Sequence, residues 1–229
     1  MTTFERLSWD SDFFGVGVGK VTVDTHDFKL EQLSHLVKEG FRLIYIFSRE
    51  KLEFEHYNLQ FVDTKLRYRF DLSRHKVTHK NFPFYTKSYQ AEDLLDLAIQ
   101  AGEFSRFRLD EKIPQSKFET LYEKMVENAV NKTYADDIIV TKCGEEFTGM
   151  ISLKVKGEIG KVGLIGINYD KRGQKLGTSL INYAKDYFFN KKCAFIEIET
   201  QFANIRACRF YEKNGFSLIH QEHIYHLWL

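Results

Sequence analysis

The stretch that most narrows the fold is residues 162–188, VGLIGINYDKRGQKLGTSLINYAKDYF. An apolar run interrupted by Gly163 and Gly166 meets a turn carrying Lys171, Arg172 and Lys175. An amphipathic segment follows, with Leu176, Leu180, Ile181 and Ala184 on one stripe. That order reads as strand, cationic turn and helix, and it places the chain among α/β proteins. The first N–H groups of a helix have no partner inside it, and the helix dipole adds partial positive charge at the same end. An anion such as a diphosphate is at home there. Gly173 and Gly177 let a ligand approach the backbone, and Arg172 and Lys175 add charge. Charge alone leaves a second reading open, a helix start surrounded by ordinary solvated side chains. Two phosphate loops are excluded by spacing: Thr178, not lysine, follows Gly177, and the turn lacks G-x-G-x-x-G.

The rest of the chain divides at a polar, basic stretch, SRHKVTHKNFP. Before it, Val16, Val18, Val21 and Val23 alternate as in a strand or hairpin piece, and Leu30, Leu33, Leu36 and Val37 share a helical face that ends at Gly40. Residues 42–48 read as a buried strand and 62–72 as an alternating one. This predicts a smaller α/β N-terminal domain over 1–82 and a second domain over 83–229. In the second, the order is strand and helix to Gly102, a helix opened by Pro114, a hairpin around Gly144, the strand–turn–helix unit, a strand over 193–200, a short helix from Asn204 to Gly215, and a final strand or two. Residues 43–70 and 194–228 share the order strand, short helix, strand; a degenerate repeat and chance both account for it.

Bulk numbers set limits. The 229 residues carry a net charge of +1, so charge gives no reason to expect nucleic acid or a membrane surface as partner. The 3 cysteines form no C-x-x-C pair, and His75 and His79 have no carboxylate beside them, so no metal is expected. Sparse thiols and a charged N-terminus, MTTFERLSWDSDFF, predict a cytoplasmic protein.

A second constellation follows the basic turn. NIRACRFYEKNGF, 204–216, sets Asn204 and Tyr211 two turns apart on one helical face. It resembles N-x-x-A-x-x-x-Y-x-x-x-G-F of the GNAT acetyltransferase superfamily, and residues 172–177 resemble the Q/R-x-x-G-x-G/A signature of the same superfamily. The likeness covers about 83–229, with one departure: Lys175 stands at the middle glycine of that signature. The resemblance implies a GNAT fold, a mixed central sheet flanked by helices, with the N-terminal domain as a degenerate half-copy. The half-copy reading rests on the internal repeat alone, for which chance is the other account. The resemblance also implies acetyl-CoA as co-substrate, held by Ile165, Gly166 and Ile167 on a splayed strand, by Arg172, Gly173, Gln174, Lys175, Leu176, Gly177 and Thr178 in the turn, and by Asn204 and Tyr211. Tyr211 would give its phenolic proton to the leaving thiolate as catalytic acid.

LSWDSDFFGV, FSRFR, FETLYEKMVENAVNKTY and ETQFAN resemble the TDP-fucosamine acetyltransferases within that superfamily, which acetylate the 4-amino group of dTDP-4-amino-4,6-dideoxygalactose for a surface polysaccharide. The resemblance implies an amino-sugar nucleotide as second substrate, met by Arg106, Arg108, Glu199 and Gln201, with Arg106 and Arg108 suited to its diphosphate. Glu199 is also a candidate base, directly or through water. Two other readings stay open: an acetyltransferase for a peptide or small-molecule amine, and a CoA-binding module without catalysis. The last segment, IYHLWL, reads as an apolar edge strand able to pair two subunits into a homodimer.

Overall fold

The computed structural model describes residues 3–23, 33, 36–52, 59–77, 85–86 and 89–229. The helix expected around Leu30 lies mostly outside them, as do most of the linker and the helical part of the first repeat copy. The strands are β1 Thr3–Arg6, β2 Gly17–Val23, β3 Phe41–Ser48, β4 Leu59–Asp71, β5 Tyr85–Thr86, β6 Asp137–Cys143, β7 Glu146–Lys156, β8 Ile159–Ile167, β9 Phe195–Gln201 and β10 Ser217–Trp228. The helices are α1 Ser8–Phe14, α2 Ala91–Ala101, α3 Arg106–Leu109, α4 Gln115–Val130, α5 Leu176–Asn190 and α6 Ile205–Lys213. No described helix is long and apolar enough to cross a membrane.

All ten strands of the described residues form one sheet in the order β1-β2-β3-β10-β4-β9-β8-β7-β6-β5. The sheet runs across residue 82, because β4 from the N-terminal half lies between β9 and β10 of the C-terminal half. β10 in turn lies between β3 and β4, antiparallel to both. Each half thus lends its last strand to the other. This corrects the expected edge strand: IYHLWL is in the sheet interior with both sides paired, so it has no free backbone for a second subunit.

The two halves differ at their parallel pairs. β2 and β3 stay paired along their length, from Gly17 opposite Phe41 to Val23 opposite Ser48. β8 and β9 pair only over Ile159–Val162 and Phe195–Ile198, and then part. A bulge beside β7 supplies the cause. The register jumps between Ile151 and Leu153, and the Ser152 hydroxyl takes the Leu164 N–H at 2.7 Å. Among the described residues the parallel pair of the C-terminal half is therefore the one that opens a cleft.

Helices cover the sheet on both faces. α5 and α6 bury Leu180, Ile181, Ala184, Phe188, Cys208 and Tyr211 against Ile139, Ile151, Val162, Ile196 and Ile198. On the other face α2 and α4 bury Leu94, Leu97, Phe118 and Val126 against Ile138, Val140, Met150 and Leu164. This second cover stops short of β4 and β9. There the sheet carries Lys65, Arg67 and Arg69 opposite Gln201, Glu199 and Glu197, a polar floor between two apolar layers.

Gly166 marks how closely α2 approaches β8: an added Cβ would stand 2.4 Å from the Leu97 carbonyl oxygen. Gly166→Ala is expected to destabilise the fold by about 2 kcal/mol or more, since the obstacle is backbone and cannot rotate away. Chemical denaturation checks this, and an unchanged midpoint would refute the close-approach account.

Candidate active site

The parting of β8 from β9 leaves one large cleft of about 1050 Å³. One wall is the free edge of β8 over Gly163–Ile167, and the other is Glu199–Gln201 of β9 with the start of α6. At one end stands the basic turn. Asn168 opens it by accepting the Asp170 N–H at 3.0 Å. The Arg172 Nε donates to the Ile167 carbonyl at 3.1 Å, and its guanidinium stacks on Tyr169 at 3.8 Å. Arg172 therefore ties the turn to the end of β8. Gly173 has φ +80° and Lys175 φ +63°, and Lys175 caps the N-terminus of α5. The first intrahelical bond made across Lys175 is from the Ser179 N–H, so the Leu176, Gly177 and Thr178 N–H groups are left for a ligand. A Cβ on Gly177 would press within 3.2 Å of the Phe210 ring.

The cleft brings together Ile165, Gly166, Ile167, Arg172, Gly173, Lys175, Leu176, Gly177, Thr178, Asn204 and Tyr211. Gln174 does not line it. The Asn204 side chain accepts the Ala207 N–H at 3.1 Å and so starts α6. Tyr211 is 4 % exposed, and burial lifts its proton affinity well above that of an ordinary phenol. It stays protonated at neutral pH, and its hydroxyl makes no hydrogen bond to the described residues.

Beyond the splay the cleft widens over the polar floor. Arg106, on the short α3 capped by Ser105, reaches into it, while Arg108 is exposed outside over Phe118. Arg106 packs on Tyr45 at 3.8 Å and Phe107 at 4.1 Å and meets the His226 Nε2 at 2.8 Å. Burial pushes His226 down to about 4. Its neutral ring carries its proton on Nδ1, bonded to Asp110 at 2.6 Å, and the Trp228 indole donates to the same carboxylate at 2.9 Å. The Tyr45 hydroxyl donates to Asp10 of α1 at 3.1 Å. Among the described residues no carboxylate forms an ion pair with Arg106, although the charges of Asp10 and Asp63 act on it, and it lines the cleft. Glu199 and Gln201 line the same region. Two Arg67 nitrogens hold Glu199, at 2.8 and 2.7 Å. Asp63 of β4 also lines it and is 6 % exposed; burial pushes its carboxyl up to about 7, against the Thr64 backbone and the charges of Arg106 and Lys65.

Sequence reasoning missed Asp63, Tyr45, Asp110, His226 and Trp228. The apolar character of LIYIF and IYHLW marked them as strands but gave neither the side of the sheet each residue faces nor its neighbours. Among the described residues no group of His, Cys, Asp and Glu is arranged to hold a metal ion.

The family model of the acetyltransferase (GNAT) family matches residues 99–216. N-alpha-acetyltransferase 30 of Dictyostelium discoideum is 33% identical over 81 residues, 34% of this chain and 44% of that protein. Streptothricin acetyltransferase of Escherichia coli is 32% identical over 75 residues, 32% of this chain and 43% of that protein. The chain thus spans under half the length of these curated relatives. The solved GCN5-related N-acetyltransferase of Sphaerobacter thermophilus is 12% identical with a TM-score of 0.61, covering 99% of this chain and 76% of that one, a likeness of fold. With the splayed strands, the basic turn and the buried phenol in their places, the chain belongs to the acetyltransferase (GNAT) family.

Proposed function

We propose that the protein transfers the acetyl group of acetyl-CoA to a primary amine on a nucleotide-linked amino sugar, dTDP-4-amino-4,6-dideoxygalactose being the first candidate. The observation that carries the acetyl-transfer reading is the β8–β9 splay, with the α5 N-terminus at one end and an unpartnered Tyr211 hydroxyl in its wall. The residues fit the co-substrate. The free edge of β8 offers backbone groups to the amide-bearing pantetheine arm. The amides of Leu176–Thr178, with Lys175 beside them, suit the diphosphate. Acetyl-CoA supplies an acyl group activated as a thioester. Tyr211, protonated and desolvated, is the donor to the departing sulfur.

The acceptor reading rests on Arg106. A cation in the cleft wall with an aromatic bed and no direct ion pair to a described carboxylate suits a phosphate-bearing acceptor. The two curated relatives are named for other amines, which makes a peptide N-terminus and streptothricin the natural comparison acceptors.

Acetyl transfer to the dTDP-amino sugar, a short peptide and streptothricin, followed by mass spectrometry, tests the reading; a wild-type protein silent with all three refutes it. Tyr211→Phe is expected to lower kcat by about 100-fold or more with acetyl-CoA affinity unchanged. Equal kcat in steady-state assays would instead favour a binding module. Lys175→Gly relieves a left-handed backbone that costs a side chain about 1 kcal/mol. It should keep or raise the melting temperature yet weaken acetyl-CoA in calorimetry, because one charge leaves the turn. Arg106→Ala should raise KM for the sugar nucleotide at least about tenfold and leave acetyl-CoA affinity intact, consistent with loss of a charged hydrogen-bond pair; equal effects on both would remove its acceptor role.

A further inference from the structure

We propose that Asp63 is the general base that takes the proton from the acceptor's ammonium group, so that a strand from the N-terminal half carries part of the chemistry. The inference rests on the acetyl-transfer reading above and goes further by naming the base, which no motif in the chain reveals.

Geometry separates Asp63 from the other carboxylates of the cleft and of the polar floor beside it. β4 sets Lys65 opposite Gln201 and Arg67 opposite Glu199, so Asp63, two residues further along, projects on the same face just past the paired end of β9. Its neighbour across β10 is the apolar Ile224, and both line the cleft. Glu199 is the alternative that the sequence offered. It lies 42% exposed on the polar floor, gripped by Arg67 and with Lys65 at 3.7 Å. Both Arg67 contacts fall on one Glu199 oxygen and hold the side chain down on the floor. Glu197 is buried but bound to Arg69 and Lys161, and Glu222 is bound to Lys65. Glu103, the remaining carboxylate of the cleft lining, accepts the Tyr169 hydroxyl at 2.7 Å. Among these carboxylates Asp63 alone has neither an ion pair nor a hydrogen bond with a described side chain.

Its surroundings set its strength. Burial raises its proton affinity, whereas Arg106 of α3 and Lys65 of its own strand lower it, leaving the carboxyl near 7. The other titratable groups lining this part of the cleft are Glu199 of β9, Tyr122 of α4 and Tyr134 beyond it; Tyr45 of β3 and His226 of β10 stand behind Arg106. A base near neutrality suits an ammonium of ordinary amine strength. An acceptor anion settling on Arg106 would cancel one of the charges that weaken Asp63, so acceptor binding strengthens the base.

The step balances. The Asp63 carboxylate takes one proton from R–NH3⁺. The freed nitrogen lone pair bonds to the acetyl carbon as the carbon–sulfur bond breaks and its electrons pass to sulfur. Tyr211 gives that sulfur a proton, and the second nitrogen proton restores the phenol. The products are the amide, the CoA thiol and one proton, which leaves Asp63 for solvent.

The test compares wild type, Asp63→Asn and Asp63→Glu in kcat/KM across pH, using whichever of the three acceptors above the wild type acetylates, with acetyl-CoA affinity measured by calorimetry as the check on folding. Asp63→Asn should bind acetyl-CoA within about twofold of wild type and lose about 100-fold in kcat/KM near neutral pH. Its acidic limb should move up to the amine's own pKa. Asp63→Glu should retain a protein-borne limb, displaced from that of wild type, and lose less activity. A wild-type rate and limb in Asp63→Asn would overturn the proposal while leaving acetyl transfer standing. Should Asp63→Asn fail to bind acetyl-CoA, an undisplaced limb in Asp63→Glu would overturn it equally. A wild type inactive with every acceptor would remove the proposed function first, and the base with it.

Discussion

Everything at the cleft depends on a hydrogen-bonded ladder that stops early. β8 and β9 are parallel and pair only as far as Val162 and Ile198. Had the ladder continued, the backbone groups of Gly163–Ile167 would be spent inside the sheet, as those of β2 are on β3. The stop is enforced beside β8. The register shift against β7 and the Ser152–Leu164 bond turn the strand so that Leu164 and Gly166 face α2 while Ile165 and Ile167 face α5. The early end of one pairing thus leaves a peptide edge free beside a helix N-terminus and makes room for a ligand within the sheet.

The exchange of terminal strands gives the cleft its second chemical character. β4 stands beside β9, so residues well before the GNAT motifs become neighbours of Glu199 and Gln201. Asp10, Tyr45 and Asp63 come from the N-terminal half, while Arg106, Asp110 and His226 come from the C-terminal half. One cluster built from both halves explains why the N-terminal half contributes despite lacking a basic turn of its own. The same exchange resists dissociation of the halves, because β4 and β10 would each lose backbone partners on separation.

Electrostatics divides the cleft in two. At the turn, cationic side chains and unpartnered amides favour a phosphate-rich ligand. On the floor, Arg67, Arg69, Lys65 and Lys161 are paired with Glu197, Glu199 and Glu222, so most charge there is internally spent. Arg106 and Asp63 are the exceptions, a cation and an acid held apart from these pairs in low-dielectric surroundings. Groups left unpaired at such cost are where perturbed protonation and ligand binding are expected to coincide.

The sequence by itself determined the local chemistry: the strand–turn–helix at 162–188, the caps at Asn204 and Gly215, the inward aromatic at Tyr211 and the alternation of β4 and β9. These follow from short-range rules of capping, glycine conformation and periodicity, which act over a few residues. Even Lys175 at a glycine position was legible as an oddity, and its left-handed backbone is what that position demands. Tertiary structure alone decided that IYHLWL is an interior strand, that β4 crosses into the other half, that Glu199 is tied to Arg67, and that Asp63 and Arg106 meet at the cleft. Strand order and side-chain partners are set by packing between segments far apart in the chain, and alternation specifies only which side chains share a face, never which strand lies next to them.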